Sequence, residues 1–221
     1  MSERRGKTIG KYMGKVTIRK PVPTLAEMRR DIFIAAMRKG DFSRHYCLKK
    51  VLIPHGVTEV PARAFARSRI ESIVFPDSMR IIGESAFRGC DLTSITICDN
   101  VLVIGRSAFY GCENLTTVTL PRGLKHIGAY AFKGCKSLKS IIIPEGVKRI
   151  SLGAFRGCQS LTEIVIPDGV IKIGNNAFYG CSRLESVVVP DAAKEIGKKV
   201  FGECKSLSSI SVRHKATKQH I

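Results

Sequence analysis

Apolar and polar residues alternate along this chain in short bursts that return at a fixed interval. A clear example is the stretch LKSIIIPEGVKRISLGAFRGCQS, residues 138 to 160. Ile141 and Ile143 share one face of this stretch, and Ile142 lies on the opposite face. This period of two predicts a short strand. Pro144 cannot donate to a strand ladder, so it ends the strand, and the letters PEG turn the chain.

The same pattern recurs seven times. Phenylalanines 22 or 23 residues apart mark the copies: Phe65, Phe87, Phe109, Phe132, Phe155, Phe178 and Phe201. A cysteine follows three residues behind all but the first of them: Cys90, Cys112, Cys135, Cys158, Cys181 and Cys204. Units stacked side by side form parallel strands about 4.8 Å apart over one continuous core. The periodicity therefore predicts a solenoid over residues 48 to 212, with seven repeats and a partial eighth.

Each repeat closes on a corner such as AFRGC at residues 154 to 158. Small Ala154 and large Phe155 are expected in the core, and Gly157 in a backbone conformation that other residues avoid. The positions assigned a structural role are Phe87, Cys90, Phe109, Cys112, Phe132, Cys135, Phe155, Cys158, Phe178 and Cys181. Cysteines at this spacing predict a column of buried, reduced thiols, because side chains of successive coils point in parallel and a disulfide needs a dihedral of about 90°.

The seven in-phase copies resemble the leucine-rich repeats of the BspA-like family, and the resemblance covers residues 48 to 212. It implies a curved leucine-rich-repeat solenoid with stacked short parallel β-strands and a turn-rich outer side. It also implies binding rather than catalysis, since proteins of this family on bacterial and protist surfaces serve adhesion.

Two terminal segments flank the repeats. The segment TLAEMRRDIFIAAMRKG has Thr24 and Glu27 at capping-box spacing. Its apolar residues recur at helical intervals: Leu25, Met28, Ile32, Phe33, Ala36 and Met37. These features predict an α-helical cap within residues 24 to 47; the alternative is a basic amphipathic helix for a membrane surface or a partner groove. Residues 1 to 23 indicate a flexible basic arm, and residues 213 to 221 a basic tail.

Charge widens the choice of partners. The chain has 37 Lys plus Arg against 18 Asp plus Glu, a formal net charge of +19 that attracts acidic proteins, nucleic acid and anionic membranes. Its apolar runs are far shorter than the roughly 20 residues that cross a bilayer. Its N-terminus lacks a secretory pattern. These features and the reduced cysteines favour an intracellular location, with the cell surface as the alternative if a leader has been removed.

The residue types and spacings that catalysis or metal binding needs are missing from the sequence. There is no C-x-x-C pair and no G-x-S-x-G, and the five histidines have no metal-ligand spacing. The letters GKT at residues 6 to 8 lack the rest of a phosphate loop. We therefore expect no enzyme activity, no catalytic residue, no metal and no cofactor.

The positions that vary between repeats are the candidates for function. An outward strand column is predicted to bind a protein partner: Leu52, Val74, Thr96, Thr119, Ile142, Val165 and Val188. A continuous apolar stripe of this kind is the size at which exposed patches mark binding sites. The alternative is that β-branched residues simply suit strands.

Cationic positions form a second set of candidates, for anion binding. They comprise the column after Phe (Arg88, Tyr110, Lys133, Arg156, Tyr179), positions after the turn (Lys125, Lys148, Arg149) and the arm (Arg4, Arg5, Lys7, Lys11, Lys15). Cations interleaved with tyrosines can follow a phosphate backbone through charge and stacking. The alternative is a solvated surface, since acidic residues such as Glu145 and Asp168 lie beside the turn column.

Three functions remain open from the sequence. The first is a non-enzymatic scaffold that binds a protein partner on the strand face. The second is a basic subunit on RNA or another polyanion, and the third is a fragment of a surface adhesion protein. The oligomeric state is left open.

Overall fold

The computed structural model describes residues 25–40, 42–44 and 46–213, with side chains described from Arg30 onward. The predicted basic arm, and with it Arg4, Arg5, Lys7, Lys11 and Lys15, lies outside the described residues, as does all of the predicted tail except Arg213.

One helix, α1 (Leu25–Lys39), precedes two rows of short strands. The first row comprises β1 (Lys50–Leu52), β3 (Ser72–Val74), β5 (Ser94–Thr96), β7 (Thr117–Thr119), β10 (Glu163–Val165), β12 (Ser186–Pro190) and β14 (Ser209–Arg213). The second row comprises β2 (Glu59–Val60), β4 (Ile81–Ile82), β6 (Val103–Ile104), β8 (His126–Ile127), β9 (Arg149–Ile150), β11 (Lys172–Ile173) and β13 (Glu195–Ile196). Each coil contributes one short segment to each row.

All strand pairing is parallel and joins equivalent positions of adjacent coils. The second row is one seven-stranded sheet, whereas the first row is divided into three sheets. Single bridges, Thr117 with Ser140 and Ile142 with Val165, carry the first row through the repeat between β7 and β10. This architecture confirms the predicted solenoid of stacked short parallel strands.

The core is a column of phenylalanine rings. Successive rings from Phe65 to Phe201 lie 5.2 to 5.6 Å apart, centroid to centroid, with interplanar angles of at most 9°. Beside them runs the cysteine column, in which each thiol donates to the Phe carbonyl of the preceding coil, as Cys135 does to Phe109 at 3.2 Å. The structure places all ten positions assigned a structural role in the core.

Each corner contains two residues in the left-handed conformation, two before and two after the phenylalanine. In the repeat of Phe155 both are glycines, Gly153 and Gly157, with φ of +56° and +73°. Other repeats place Ser107 or Tyr130 at the first position. The sequence indicated only the second position, because glycine recurs there and residue type varies at the first.

The N-terminal helix is confirmed, and part of its predicted apolar stripe is corrected. Met37 is fully buried, but Ile32 is 69% exposed. Phe33 packs against the core as predicted, with its ring 5.2 Å from that of Phe42, and Ile34 packs there in place of Ile32. Phe42 in turn stacks on Phe65 at 5.4 Å. The ring column therefore continues into the cap, and Phe42 lies 23 residues before Phe65, in phase with the repeats.

The segment around Phe42 is a further corner. Gly40 and Arg44 stand two residues on either side of Phe42, and both have positive φ, +75° and +56°. The Arg44 backbone N–H donates to the Ala66 carbonyl, as the equivalent Gly89 donates to Tyr110 in a later coil. The corners around the phenylalanines, from Phe42 to Phe201, stack along one side of the solenoid, which we call the corner face. This face therefore begins one coil before the first complete repeat.

Candidate functional site

The outward column of the first strand row is exposed, as the sequence predicts. Leu52, Val74, Thr96, Thr119, Ile142 and Val165 are exposed, and Val188 is half-buried. Strand register places Leu52 beside Val74, Thr96 beside Thr119, and both Ile142 and Val188 beside Val165. The structure thus brings these side chains together as one stripe across the coils, which we call the strand-face stripe.

The strand-face stripe has two apolar ends and a polar middle. Leu52 and Val74 form one end, and Ile142, which is 79% exposed, begins the other. Thr96 and Thr119 separate them. Val74 and Ile142, the nearest residues of the two ends, are three coils apart, which corresponds to about 14 Å. The column beside the stripe is hydrophilic: Lys50, Ser72, Ser94, Thr117, Ser140, Glu163 and Ser186. Apolar anchors flanked by polar side chains are typical of protein interfaces.

The column after Phe forms contacts between cations and tyrosines. The Arg88 guanidinium lies 4.6 Å from the centroid of the Tyr110 ring, and Lys133 Nζ lies 5.1 Å from the same ring. Arg156 lies over Tyr179 at 4.8 Å. The structure therefore brings the five predicted residues together in two groups: Tyr110 contacts two cations, Arg88 and Lys133, and Tyr179 contacts Arg156.

Two further residues join this column and were missed in the sequence. Tyr130 lies two residues before Phe132, whereas the predicted column lies one residue after each Phe. Tyr130 therefore occupies a different position within the repeat. Its ring lies 5.4 Å from Lys133 Nζ and 5.5 Å from the Arg106 guanidinium. No recurring residue type marks the position of Tyr130 in the sequence, and only its φ of +60° identifies it as the first left-handed position of a corner.

The turn column, with Lys125, Lys148 and Arg149, is exposed. Among the residues that the structure describes, none of these three cations forms an ion pair. Asp168, expected to neutralise this column, pairs with Arg213 at 3.3 Å. The neighbouring Glu195 carboxylate accepts a hydrogen bond from Lys172, and this bond and charge lower the pKa of Glu195.

The buried cysteine thiols are poor nucleophiles in this setting. Burial raises the pKa of Cys90 to about 11 and that of Cys158 to about 12, so both stay protonated near neutral pH. All eight cysteines are free, and Cys47 is exposed. Within residues 25–40, 42–44 and 46–213, no three His, Cys, Asp or Glu side chains are grouped to hold a metal ion. The single described helix is too short and too polar to span a bilayer.

Comparison with known proteins identifies the repeat. The family model described as BspA type leucine rich repeat region matches residues 36–162 and 125–220, with 6 copies. The chain belongs to the BspA-type leucine-rich repeat family. The first match begins at residue 36, ahead of Phe42, in agreement with the additional corner found there.

Solved structures of leucine-rich repeat proteins resemble the chain. A leucine-rich repeat protein from Bacteroides ovatus is 30% identical, with 74% of this chain and 55% of that chain covered and a TM-score of 0.56. The Treponema pallidum leucine-rich repeat protein is also 30% identical, with 74% and 69% covered and a TM-score of 0.55. One from Eubacterium ventriosum, 21% identical, shares the fold, with 80% and 57% covered and a TM-score of 0.52. The chain thus spans 55% to 69% of the length of these proteins, and no curated protein matches it significantly.

The family assignment narrows the range of functions. BspA-type repeats typically mediate protein interaction or adhesion, and their solenoid is typically non-enzymatic. The comparisons do not support the expectation of an intracellular location, and they give no support to a nucleic-acid partner.

Proposed function

We propose that the chain is a non-enzymatic scaffold that binds a protein partner on the strand-face stripe. The observation that carries this proposal is the exposure of large apolar side chains in register across coils, above all Ile142 at 79% and Leu52 at 73%. Packing of the solenoid does not require these side chains, because Ile141 and Ile143 fill the core from the opposite face of the same segment.

The two apolar ends of the stripe supply the binding energy in this proposal. Burial of one Val, Leu or Ile side chain contributes about 1.5 to 3 kcal/mol. Since Ile142 and Val165 are neighbours in register, one apolar partner residue can contact both. The exposed hydroxyls of Thr96 and Thr119 in the middle give the partner hydrogen-bond sites between its two apolar anchors.

A paired-variant experiment tests this function. Ile142→Asp with Val165→Asp places two charges in the stripe, and Ile171→Asp with Ile196→Asp makes matched changes at exposed apolar positions outside it. A protein recovered by the wild type and by the matched control, but lost with the stripe variant, is the expected result. Retention of every bound protein by a folded stripe variant contradicts the proposal. The complex should also respond little to salt between about 50 and 200 mM.

The same stripe could act in adhesion at a cell surface. In that case the bound partner is a protein of another cell or of the matrix. Adhesion requires that the bound protein reach the stripe from outside the cell. Labelling of intact cells with an antibody against the repeats distinguishes the two settings, because only a surface protein is labelled without permeabilisation.

An anionic macromolecule on the corner face is the second candidate function. The contacts of Arg88 and Lys133 with Tyr110 favour it, because they combine positive charge with an aromatic ring. Lys133→Glu with Arg156→Glu should then abolish binding of single-stranded RNA, and wild-type affinity should fall steeply between about 50 and 200 mM salt. Equal loss with an Arg183→Glu, Lys205→Glu control, which reverses two exposed charges outside the candidate columns, would instead indicate a general effect of net charge.

A further inference from the structure

A cavity of about 370 Å³ opens on the corner face at the N-terminal end of the solenoid. Four of its lining residues are arginines, contributed by three successive coils: Arg44, Arg63, Arg67 and Arg88. No acidic side chain belongs to its described lining. The volume is near the lower end of the range of small-molecule sites, which is about 300 to 1,000 Å³.

Small side chains create this cavity. Ser43 and Ala66 occupy the position directly after Phe in the first two corners, where later repeats carry Arg88, Tyr110 and Lys133. The two small residues leave space between coils that the long side chains fill elsewhere. Arg88, whose guanidinium lies over Tyr110, closes the cavity on the side of the third corner. The cavity therefore exists only where the residues after Phe are small, and the five repeats that follow lack such small residues.

Three of the arginines occupy a backbone conformation that L-residues with long side chains avoid. Arg44, Arg63 and Arg67 have φ of +56°, +60° and +59°. The position of Arg67 is glycine in the five repeats that follow: Gly89, Gly111, Gly134, Gly157 and Gly180. Left-handed backbone costs free energy at any residue with a Cβ, whereas glycine adopts it freely. The corners impose this conformation throughout the solenoid, on Tyr130, Lys199 and Glu203 as well, but the glycines of the later repeats show that its cost is avoidable at the position of Arg67.

The charge in the cavity is uncompensated by described side chains. None of the ion pairs between the residues that the structure describes includes Arg44, Arg63, Arg67 or Arg88. The four arginine side chains are exposed, so an anion can reach them from solvent and be attracted by each of the positive charges. The guanidinium fork matches phosphate oxygens through paired, charge-assisted hydrogen bonds. Ser85, only 5% exposed, adds a hydroxyl to the lining.

We propose that this cavity binds a compact polyphosphate, meaning two or more linked phosphate groups, either free or as part of a nucleotide. One phosphate group cannot neutralise four guanidinium groups, whereas a short polyphosphate presents several charges within a volume that the cavity can hold. This site lies on the corner face and involves no residue of the strand-face stripe, so the proposal does not depend on the proposed function.

Binding of inorganic tripolyphosphate to the full chain, measured by titration calorimetry at about 150 mM salt, tests the proposal. We expect one site per chain and much weaker binding of orthophosphate. Arg67→Gly and Arg63→Asn should each lower the affinity for tripolyphosphate about tenfold or more, as expected for loss of a charge-assisted contact. Arg183→Gln and Lys205→Gln remove the same single charges at exposed positions outside the cavity and should leave the affinity nearly unchanged.

Thermal unfolding separates loss of binding from loss of folding. Arg67→Gly restores the residue of the later repeats, and Asn176 shows that asparagine fits the corner position of Arg63. The unfolding midpoints of both variants should therefore equal or exceed that of the wild type. A stable Arg67→Gly variant that binds tripolyphosphate as tightly as the wild type would overturn the proposal, as would equal losses in the two control variants.

Further ligands identify the source of the phosphate. Equal affinity for ATP and tripolyphosphate assigns the cavity to the polyphosphate alone, and tighter binding of ATP assigns it to a nucleotide. Tighter binding of a short single-stranded RNA than of tripolyphosphate, lost in the same arginine variants, overturns the proposal in favour of nucleic acid. Absence of tripolyphosphate binding at millimolar concentration overturns it as well.

Discussion

The cysteine that ends each corner acts as a buried hydrogen-bond donor. Cys112, Cys135 and Cys158 are fully buried, and each thiol points at a phenylalanine carbonyl of the preceding coil at 3.1 to 3.3 Å. Desolvation is the largest influence on these groups and raises their pKa. A thiol at this position therefore fills space and satisfies a carbonyl between coils, and it stays protonated while doing so.

Alkaline pH should destabilise the fold through these thiols. The unfolded chain releases thiol protons above a pKa of about 8.5, whereas the folded chain holds the proton of Cys158 until about pH 12, so stability falls as pH rises between these values. Each buried thiol contributes a slope of up to about 1.4 kcal/mol per pH unit. Urea unfolding under reducing conditions at pH 7.5 and pH 10 measures this loss.

A variant with Cys135→Ala and Cys158→Ala provides the control. Lysine titration affects the variant and the wild type alike, so the difference between their unfolding free energies isolates the two thiols. That difference should shrink as the pH rises, because the wild type loses the contribution of two protonated thiols and the variant does not. A difference that stays constant with pH would contradict burial of these thiols.

Single residues show which parts of the site the sequence could reveal. Ile142 and Arg88 could be predicted as candidate site residues because each occupies a variable position next to one that is apolar in every repeat. Arg44, Arg63 and Tyr130 were missed because their corner positions are defined by backbone conformation, and no common residue type marks them. The strained positions became visible only when φ was known.

At the scale of elements, helix α1 and the corner at Phe42 together form the N-terminal cap. The helix contributes Met37, which is fully buried, and Phe33, which contacts Phe42. Phe42 then presents a ring to Phe65 in the same way as each repeat presents one to the next. The sequence predicts the helix from its capping box and apolar spacing, whereas the corner is hidden because only Gly40, Phe42 and Arg44 keep its spacing.

Substitutions in helix α1 should distinguish its buried face from its exposed face by their effect on stability. Met37→Ala removes a fully buried side chain from the contact with the first coil and should lower the free energy of unfolding by about 3 kcal/mol. Ile32→Ala shortens an exposed side chain of the same helix and should change it by less than about 0.5 kcal/mol. Urea unfolding gives both values. Equal costs at the two positions would show that the helix packs through another face.

The free energy of unfolding lost on replacing a phenylalanine should depend on its position in the column. Phe132 stacks between two rings, Phe109 and Phe155, whereas Phe201 stacks on Phe178 and is partly buried. Phe132→Ala should therefore cost about 3 to 5 kcal/mol, and Phe201→Ala clearly less. Equilibrium denaturation compares them directly. A greater cost at Phe201 would mean that the C-terminal coil is the better packed one.

At the scale of the whole molecule, each coil contacts only its neighbours, so stability is close to a sum of coil and interface contributions. The two proposed binding sites occupy different parts of this stack. The strand-face stripe lies on the first strand row, and the four-arginine cavity lies on the corner face near the N-terminal end. The repeat itself follows from the sequence, because one spacing of 22 or 23 residues fixes fold, register and core together.

Removal of one complete repeat should leave a folded, shorter solenoid. Deletion of residues 138–160 joins Ser137 to Leu161, which reproduces the junction of Ser160 with Leu161, and places Thr119 beside Val165 in the strand row. The denaturant m-value should fall by about one seventh, in proportion to the surface buried by one of seven coils. Deletion of residues 138–149 is the control, because it removes the strand and turn but keeps the corner, and it should abolish cooperative unfolding. If the two deletions behave alike, the coils are not the independent units of this fold.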